Sequence, residues 1–283
     1  MSANQEQIDY WNGEGGQRWV EQNRSVDELI RPIGVAVLDA ATLHSGERAI
    51  DVGCGCGNQT LALAQRIGPG GQVLGVDVSE PMLALAREQA GADPAPRAAL
   101  EFLLADAAEH RFEQGATDLL YSRFGVMFFA DPVPAFANMR TALRDGGRLA
   151  FCCWRAMKEN ELMLLPLRAA LAHLPPPAPV PPDAPGPFAF ADRERVLGIL
   201  QAAGFRDAAV EPLDCALRYG AGLDAAEIAR RLLDLGPAAR LLADASASIR
   251  TRVEEDLCRL IEPRQGAAGI GLMACCWRVT ARA

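Results

Sequence analysis

The stretch Ala49–Thr60, AIDVGCGCGNQT, decides the fold: an apolar strand runs straight into a turn with glycine at 53, 55 and 57. Glycines at a strand-to-helix turn permit positive φ and let a ligand approach the backbone closely. The helix expected next, over 59–67, points its N-terminal N–H groups at that ligand. Asp51 stands just ahead of the turn.

Two ligand classes use such a turn. The dinucleotide fingerprint is G-x-G-x-x-G, with pyrophosphate on the helix N-terminus. Here the third glycine comes one residue early, and the position the fingerprint needs holds Asn58. A carboxylate at Asp51 repels a phosphate but attracts an ammonium or a sulfonium. S-adenosylmethionine carries both, so the turn fits a cationic nucleoside better than a dinucleotide.

The following strands agree. Gln72–Val78 (QVLGVDV) brings Asp77 to a strand end, where a carboxylate accepts two hydrogen bonds from a ribose diol. The strand over 100–104 leads to Asp106-Ala107, an acid for a purine amino group and an N–H for a ring nitrogen. Three carboxylates at successive strand ends say more than the glycine turn alone.

The segments AIDVGCGCG, LGVDVSEPML, LLADAAE and TDLLYSRFGVMFF resemble the ordered motifs of class I S-adenosylmethionine-dependent methyltransferases. The nearest likeness is the small-molecule group related to ubiquinone and menaquinone biosynthesis, over about residues 33–154. The resemblance implies a Rossmann-like, seven-stranded, mostly parallel sheet with an antiparallel last strand, helices on both faces and helical lid insertions. It implies that Asp51, Gly53, Cys54, Gly55 and Gly57 surround the methionine part of the cofactor, with Ser122 close by. Asp77 would hold the ribose, Val78 and Met82 would line the adenine, and Asp106 and Ala107 would read its edge. The product would be S-adenosylhomocysteine. The motifs say little about the methyl acceptor.

Composition bounds the function classes. The start, MSANQEQIDYWNGEGG, has neither the basic opening nor the apolar core of a signal peptide. No segment offers the roughly 18 continuous apolar residues of a membrane span. A net charge of −8, with lysine only at Lys158, disfavours nucleic acid and anionic membranes, whose phosphates need clustered Lys and Arg. A cytoplasmic protein with reduced thiols is expected. The eight cysteines, at 54, 56, 152, 153, 215, 258, 275 and 276, lack the paired C-x₂-C spacing of a zinc site. Buried free cysteine serves as a small hydrophobe, and no metal is expected. A thiolate pocket for a metalloid such as arsenite is the sharper and weaker alternative.

Along the chain, residues 1–30 form a polar lead-in containing Tyr10, Trp11 and Trp19, read as an N-terminal flap over cofactor and acceptor. An amphipathic helix is expected over 27–43. The S-adenosylmethionine-binding core then covers 31–155, with strands at 48–52, 72–76, 100–104, 118–122 and 148–154. Its crossover helices fall at 81–89, with Ser79 as N-cap, and at 133–143, ended by Asp145-Gly146-Gly147. Repeated strand–helix units imply a parallel sheet. A lid insertion over 156–190 contains a helix (160–173) and the proline-rich stretch 175–187, which sustains neither helix nor central strand. The core resumes over 191–221 with a helix at 192–203 and a strand at 210–219. A second helical insertion, 222–262, is expected to break at Gly236-Pro237, and 263–283 supplies the final strand, 271–280. The tripeptide CCW occurs at 152–154 and 275–277, on strands expected to be neighbours.

The acceptor is expected over the end of strand four, YSRFGVMF, because ligands of open α/β sheets lie beyond the carboxyl ends of the strands. The run Ser122-Arg123-Phe124-Gly125 lacks the acidic or Asn residue followed by Pro-Pro-aromatic that base-amino methylases show. Arg123 suits a substrate carboxylate or phosphate through bidentate donation, or else a plain ion pair with Asp131. Tyr10, Trp19, Phe124 and Met127 complete the expected acceptor side. Methyl transfer from a sulfonium is an in-line displacement that asks mainly for positioning. His110, Arg123 and Tyr10 are the candidate catalytic groups. The competing readings are a regulatory or scaffold protein that binds the cofactor without turnover, and an NAD-dependent oxidoreductase, disfavoured by the missing glycine. Oligomeric state is not legible.

Overall fold

The β-branched and apolar run of the decisive stretch forms a buried strand, and the chain on either side builds alternating strands and helices. The structure, a computed structural model, describes residues 4–283. In chain order the elements are α1 (Gln5–Asn12), α2 (Glu14–Glu21), α3 (Asn23–Ala40), β1 (Arg48–Val52), α4 (Asn58–Ile67), β2 (Gln72–Asp77) and α5 (Glu80–Ala92). There follow β3 (Ala99–Leu104), β4 (Thr117–Arg123), α6 (Pro132–Arg140), β5 (Leu143–Trp154), α7 (Glu161–Leu171), α8 (Arg193–Ala202) and β6 (Arg206–Tyr219). The chain closes with α9 (Ala225–Leu233), α10 (Gly236–Leu241), α11 (Ala247–Ile261), β7 (Gln265–Gly266) and β8 (Gly269–Arg282).

The strand order is β3-β2-β1-β4-β5-β8-β6, with β7 paired to β8 off that path. From β3 to β5 every pairing is parallel. The final strand, β8, is antiparallel to β5. The sheet therefore has eight strands where seven were expected; the extra one is the two-residue β7, hairpinned onto β8 through Gln265↔Ile270. The two CCW tripeptides do meet, as Cys153↔Trp277 and Trp154↔Cys276.

The chain leaves β1 toward β2 and β3 on one side and returns to β4 on the other. Right-handed crossovers then put α4 and α5 on one face and α6 on the opposite face. Tyr121 of β4, fully buried, fixes the first face: its hydroxyl meets Gln59 Oε1 of α4 at 2.8 Å and the Gly34 carbonyl of α3 at 3.4 Å. The order reverses between β1 and β4, which is where ligands of such sheets bind.

Several boundaries differ from the sequence reading, each for a physical reason. The lead-in is helical throughout its described part: α1 and α2 form a hairpin around Gly13 before α3, which starts at Asn23 rather than 27 and ends at Ala40. The pair Gly15-Gly16 hid this; a Cβ at Gly15 would lie 2.4 Å from the Tyr10 ring, and one at Gly16 would strike the Trp11 carbonyl. Crossover helix α6 ends at Arg140, and Asp145-Gly146-Gly147 lies inside a longer β5. The helical stretch is interrupted where expected: α9 ends at Leu233 and Gly236-Pro237 opens α10, since proline in a first turn forfeits only an N–H that has no partner there. Ser79 sits at the N-cap of α5 without capping it, because its hydroxyl donates to the Trp11 carbonyl at 2.6 Å.

Two compact units divide the chain. One runs to Trp154 and includes Asp183–Leu213 and Cys276–Ala283; the other comprises Arg155–Pro182 and Asp214–Cys275. Within the second unit, Leu162 and Leu165 of α7, Ile228 and Leu232 of α9, and Val253, Leu257 and Ile261 of α11 are buried, the last three at a four-residue spacing that makes one helical face. Asp224 and Ser246 cap α9 and α11 through bonds from the Glu227 and Ile249 amides. No helix of the described residues is long and apolar enough to cross a membrane.

Candidate functional site

The carboxyl end of β1 carries Asp51, only 1 % exposed, with Thr60 Oγ1 of α4 donating to its Oδ2 at 2.7 Å. Burial pushes this carboxyl up to about 7, opposed by the Thr60 bond and the charge of Arg123 and reinforced by Asp77. The turn that follows holds Gly53, Gly55 and Gly57 at φ of +66, +54 and +79. Side chains are excluded here by space as well as conformation. A Cβ on Gly53 would fall 2.6 Å from the Gly125 Cα, and one on Gly55 would fall 2.8 Å from Met82 Cε and 4.0 Å from Trp19 Nε1.

Asp77, at the end of β2, ties the turn in place. Its Oδ2 accepts the Gly55 N–H at 2.7 Å and its Oδ1 accepts the Ser79 N–H at 2.9 Å. Desolvation raises its pKa, with those backbone donors pulling the other way. Each oxygen keeps a second lone pair, so a vicinal diol still has acceptors. Asp106, beyond β3, repeats the pattern: Oδ1 accepts the Ala108 N–H at 2.9 Å and Oδ2 accepts Asn4 Nδ2 at 2.8 Å. Ala107 beside it is buried, its carbonyl bonded by Asn138 Nδ2 at 3.1 Å.

The other residues singled out in the sequence fall into two groups. Gathered around the turn are Cys54, whose amide donates to the Val76 carbonyl at 3.1 Å, Met82, and Val78, whose carbonyl takes Asn12 Nδ2 at 2.8 Å. Ser122 is there too, with its hydroxyl donating to the Val52 carbonyl at 2.7 Å and accepting the Gly125 N–H at 3.1 Å, which welds β4 to the turn. The second group is occupied with packing. The Met127 sulfur accepts the Trp154 N–H at 3.4 Å, and Tyr10 lies edge-on to Trp11 at 5.1 Å. His110 is edge-on to Phe112 at 4.7 Å. Phe124 stacks on Trp154 at 4.0 Å with φ of +64, a conformation costing on the order of 1–3 kcal/mol for a bulky residue and often kept where function requires it.

Arg123 pairs with Asp27 of α3, Nη2 to Oδ1 at 2.8 Å, and not with Asp131. The sequence reading missed three residues here: Asp27, Asn4 and Asn12. Asn12 takes the Glu80 N–H on its Oδ1 at 3.1 Å, and Asn4 takes the Ala130 N–H at 2.7 Å. Together with the Ser79–Trp11 bond, they fasten α1 to the rim formed by β2, β3 and the loop after β4. The signal was a helical lead-in rich in amides next to aromatics, masked by its glycines. All eight cysteines are outside any disulfide, six of them buried, and burial raises the thiols of Cys54 and Cys56, the latter to about 12. Among the described residues no cluster of His, Cys, Asp or Glu is arranged for a metal.

Residues 50–151 match the family described as a methyltransferase domain. Over 124 residues the chain is 32 % identical to nocamycin O-methyltransferase of Saccharothrix syringae, a match spanning 43 % of each protein. A demethylmenaquinone methyltransferase of Staphylococcus aureus is 34 % identical over 105 residues, 37 % of this chain and 42 % of that one. The chain thus spans about half the length, or less, of these relatives. By fold it is similar to phosphoethanolamine N-methyltransferase 2 of Haemonchus contortus in complex with S-adenosyl-L-methionine, with a TM-score of 0.59 at 18 % identity, covering 100 % of this chain and 60 % of that one. The YcgJ protein of Bacillus subtilis gives 0.56 at 14 % identity, covering 89 % and 98 %. The reversal of strand order between β1 and β4, the glycine turn and the match to the methyltransferase-domain family coincide on one segment, residues 50–151.

Proposed function

We propose that the protein transfers a methyl group from S-adenosylmethionine to a small organic molecule. The observation carrying this reading is the set of Asp51, Asp77 and Asp106 at the ends of three adjacent strands, around a turn into which no side chain fits. Such a set suits a ligand that is cationic at one end, a diol in the middle and an amino-bearing purine at the other. The relatives' names, an O-methyltransferase of nocamycin and a demethylmenaquinone methyltransferase, support a small organic acceptor. A net charge of −8 argues against nucleic acid as that acceptor. Buried cysteines outside any disulfide suit a cytosolic setting.

In this reading Asp51 faces the ammonium and sulfonium end, with Gly53, Cys54, Gly55, Gly57 and Ser122 forming the walls. Asp77 holds the ribose hydroxyls, Val78 and Met82 line the purine, and Asp106 with the Ala107 N–H reads its edge. S-adenosylmethionine supplies an electrophilic methyl group on a leaving sulfur. The protein's own part is to hold that end against the turn, to keep water away with Trp11 and Trp19 of the lead-in, and to present the acceptor beside Phe124. Such positioning supplies much of the rate of a displacement. His110 and Tyr10 stay as the groups to test for proton removal.

The test is calorimetric titration with S-adenosylhomocysteine and with NAD, then assay of methyl transfer into a metabolite extract by mass spectrometry. S-adenosylhomocysteine should bind and NAD should not. Asp77→Ala should weaken that binding roughly ten- to a hundredfold, the worth of lost charge-assisted hydrogen bonds. Unchanged affinity in that variant counts against the ribose assignment, and failure of the wild type to bind ends the reading.

A further inference from the structure

The arginine at the end of β4 has half of its guanidinium assigned and half free. Nη2 donates to Asp27 Oδ1 at 2.8 Å, while Nη1 is buried with no hydrogen-bond partner. The side chains of Arg123 and Asp27 are 11 % and 13 % exposed, and the second Asp27 oxygen is already approached by Arg31 at 3.9 Å. An unmet donor on a buried cation is costly, so in native proteins such a group calls for an explanation.

Its place in the fold says what the missing partner is near. Asp51 pairs with Tyr121, so two residues further along the parallel strands Arg123 stands level with Gly53. Side chains two apart on a strand share a face, and Tyr121 points to α3 and α4. Arg123 therefore lies on the α3/α4 side of the glycine turn, pinned there by Asp27. Its charge is felt at Asp51 and at the Cys56 thiol, both of which it pulls down. Amino-acid ends are zwitterions. If Asp51 takes the ammonium, the neighbouring carboxylate needs a cation on the turn's own rim.

We propose that Arg123 binds the α-carboxylate of the methyl donor, its free Nη1 completing with Asp51 a clamp for both charges of the amino-acid end. This rests on the methyltransferase reading and departs from the sequence expectation, which gave Arg123 to the acceptor. Asp27 is a positioning residue: it fixes one arm of the fork so that the other is aimed without further loss of side-chain freedom.

The experiment compares S-adenosylmethionine with its decarboxylated counterpart, identical except for the missing carboxylate, by equilibrium binding. Wild type should prefer the carboxylated ligand roughly ten- to a hundredfold, the range of one hydrogen bond between charged groups. Arg123→Gln should bring the two affinities together, and Arg123→Lys should keep part of the preference. Equal binding of the two ligands by wild type overturns the proposal without any variant, so a folding defect in Arg123→Gln cannot shelter it. A preference that survives in a folded Arg123→Gln overturns it too, as does a raised KM for an acidic acceptor with the donor preference intact. Failure of wild type to bind either ligand is a different result: it removes the methyltransferase reading itself.

Discussion

The carboxyl ends of β1–β4 and the helical unit of α7, α9, α10 and α11 treat acidic residues in opposite ways. Among the helices, carboxylates stay near the surface and meet arginine: Glu227 is shared by Arg230 and Arg231, Asp234 pairs with Arg250, and Asp256 with Arg259 and His173. The His173 hydrogen bond holds the Asp256 carboxyl below its ordinary value. Their interior is aliphatic, relieved by Asn160, whose amide donates to the Arg155 and Ala156 carbonyls and accepts the Cys275 N–H. At the carboxyl end of β1 Asp51 is buried and pushed up to about 7, with the Thr60 hydroxyl donating to it. Folding alone does not ask for a carboxylate there. Under the proposed function a bound cation does, and the contrast separates residues that hold the fold from residues proposed to meet a ligand.

The largest expected effect lies on the helical side. Leu257 is fully buried on α11. Leu257→Ala removes three carbons from a filled interior and should cost about 2–5 kcal/mol, by lost transfer energy plus the cavity left behind. Denaturant titration measures this. A loss well under 1 kcal/mol would mean that the aliphatic face does not hold these helices together.

The next effect has the opposite sign. Asp51 has a folded pKa of about 7 against an ordinary 3.8. Its share of stability is fully present below pH 4 and is lost as pH rises through 7, because the unfolded chain carries the charge more easily. Asp51→Asn keeps an acceptor for Thr60 and removes the charge, so at pH 8 it should be more stable than wild type, by on the order of a few kcal/mol, and the difference should vanish near pH 4. The same change should weaken S-adenosylmethionine binding and erase the rise in affinity expected of wild type as pH climbs through about 7. Melting curves at three pH values decide the first part. A variant less stable than wild type at pH 8 would return Asp51 to the residues that hold the fold.

Much of this was readable in the residues, for reasons that differ by element. β1, β2 and the turn between them follow from local chemistry: a short apolar run, glycine spacing and an acid at each strand end, with no need of distant partners. Asp51, Asp77 and Asp106, the residues proposed for the methyl donor, share that property. Arg123 was visible as an unusual residue, but its partner was not, because Asp27 lies 96 positions away and nothing local links them. The lead-in was misread for a related reason. Its helices depend on tertiary contacts of Tyr10, Trp11 and Asn12 that override glycines unfavourable to an isolated helix. Met127 looked like acceptor lining and proved to be a buried partner of the Trp154 amide.

The smallest effect tests where the two kinds of region meet in one residue. Asn4 is 7 % exposed and joins α1 to Asp106 and to the Ala130 amide. It spends an uncharged amide on a carboxylate that the proposed function needs for the purine. Asn4→Ala should loosen the lead-in by about 1–2 kcal/mol, the net worth of two ordinary hydrogen bonds, seen as faster hydrogen exchange along α1. Affinity for S-adenosylhomocysteine should fall by less than that loss implies, because Asp106 regains a lone pair for the ligand. If affinity fell as far as it does for Asp77→Ala, Asn4 would be touching the ligand itself, and the line drawn between fastening and binding would have to move into α1.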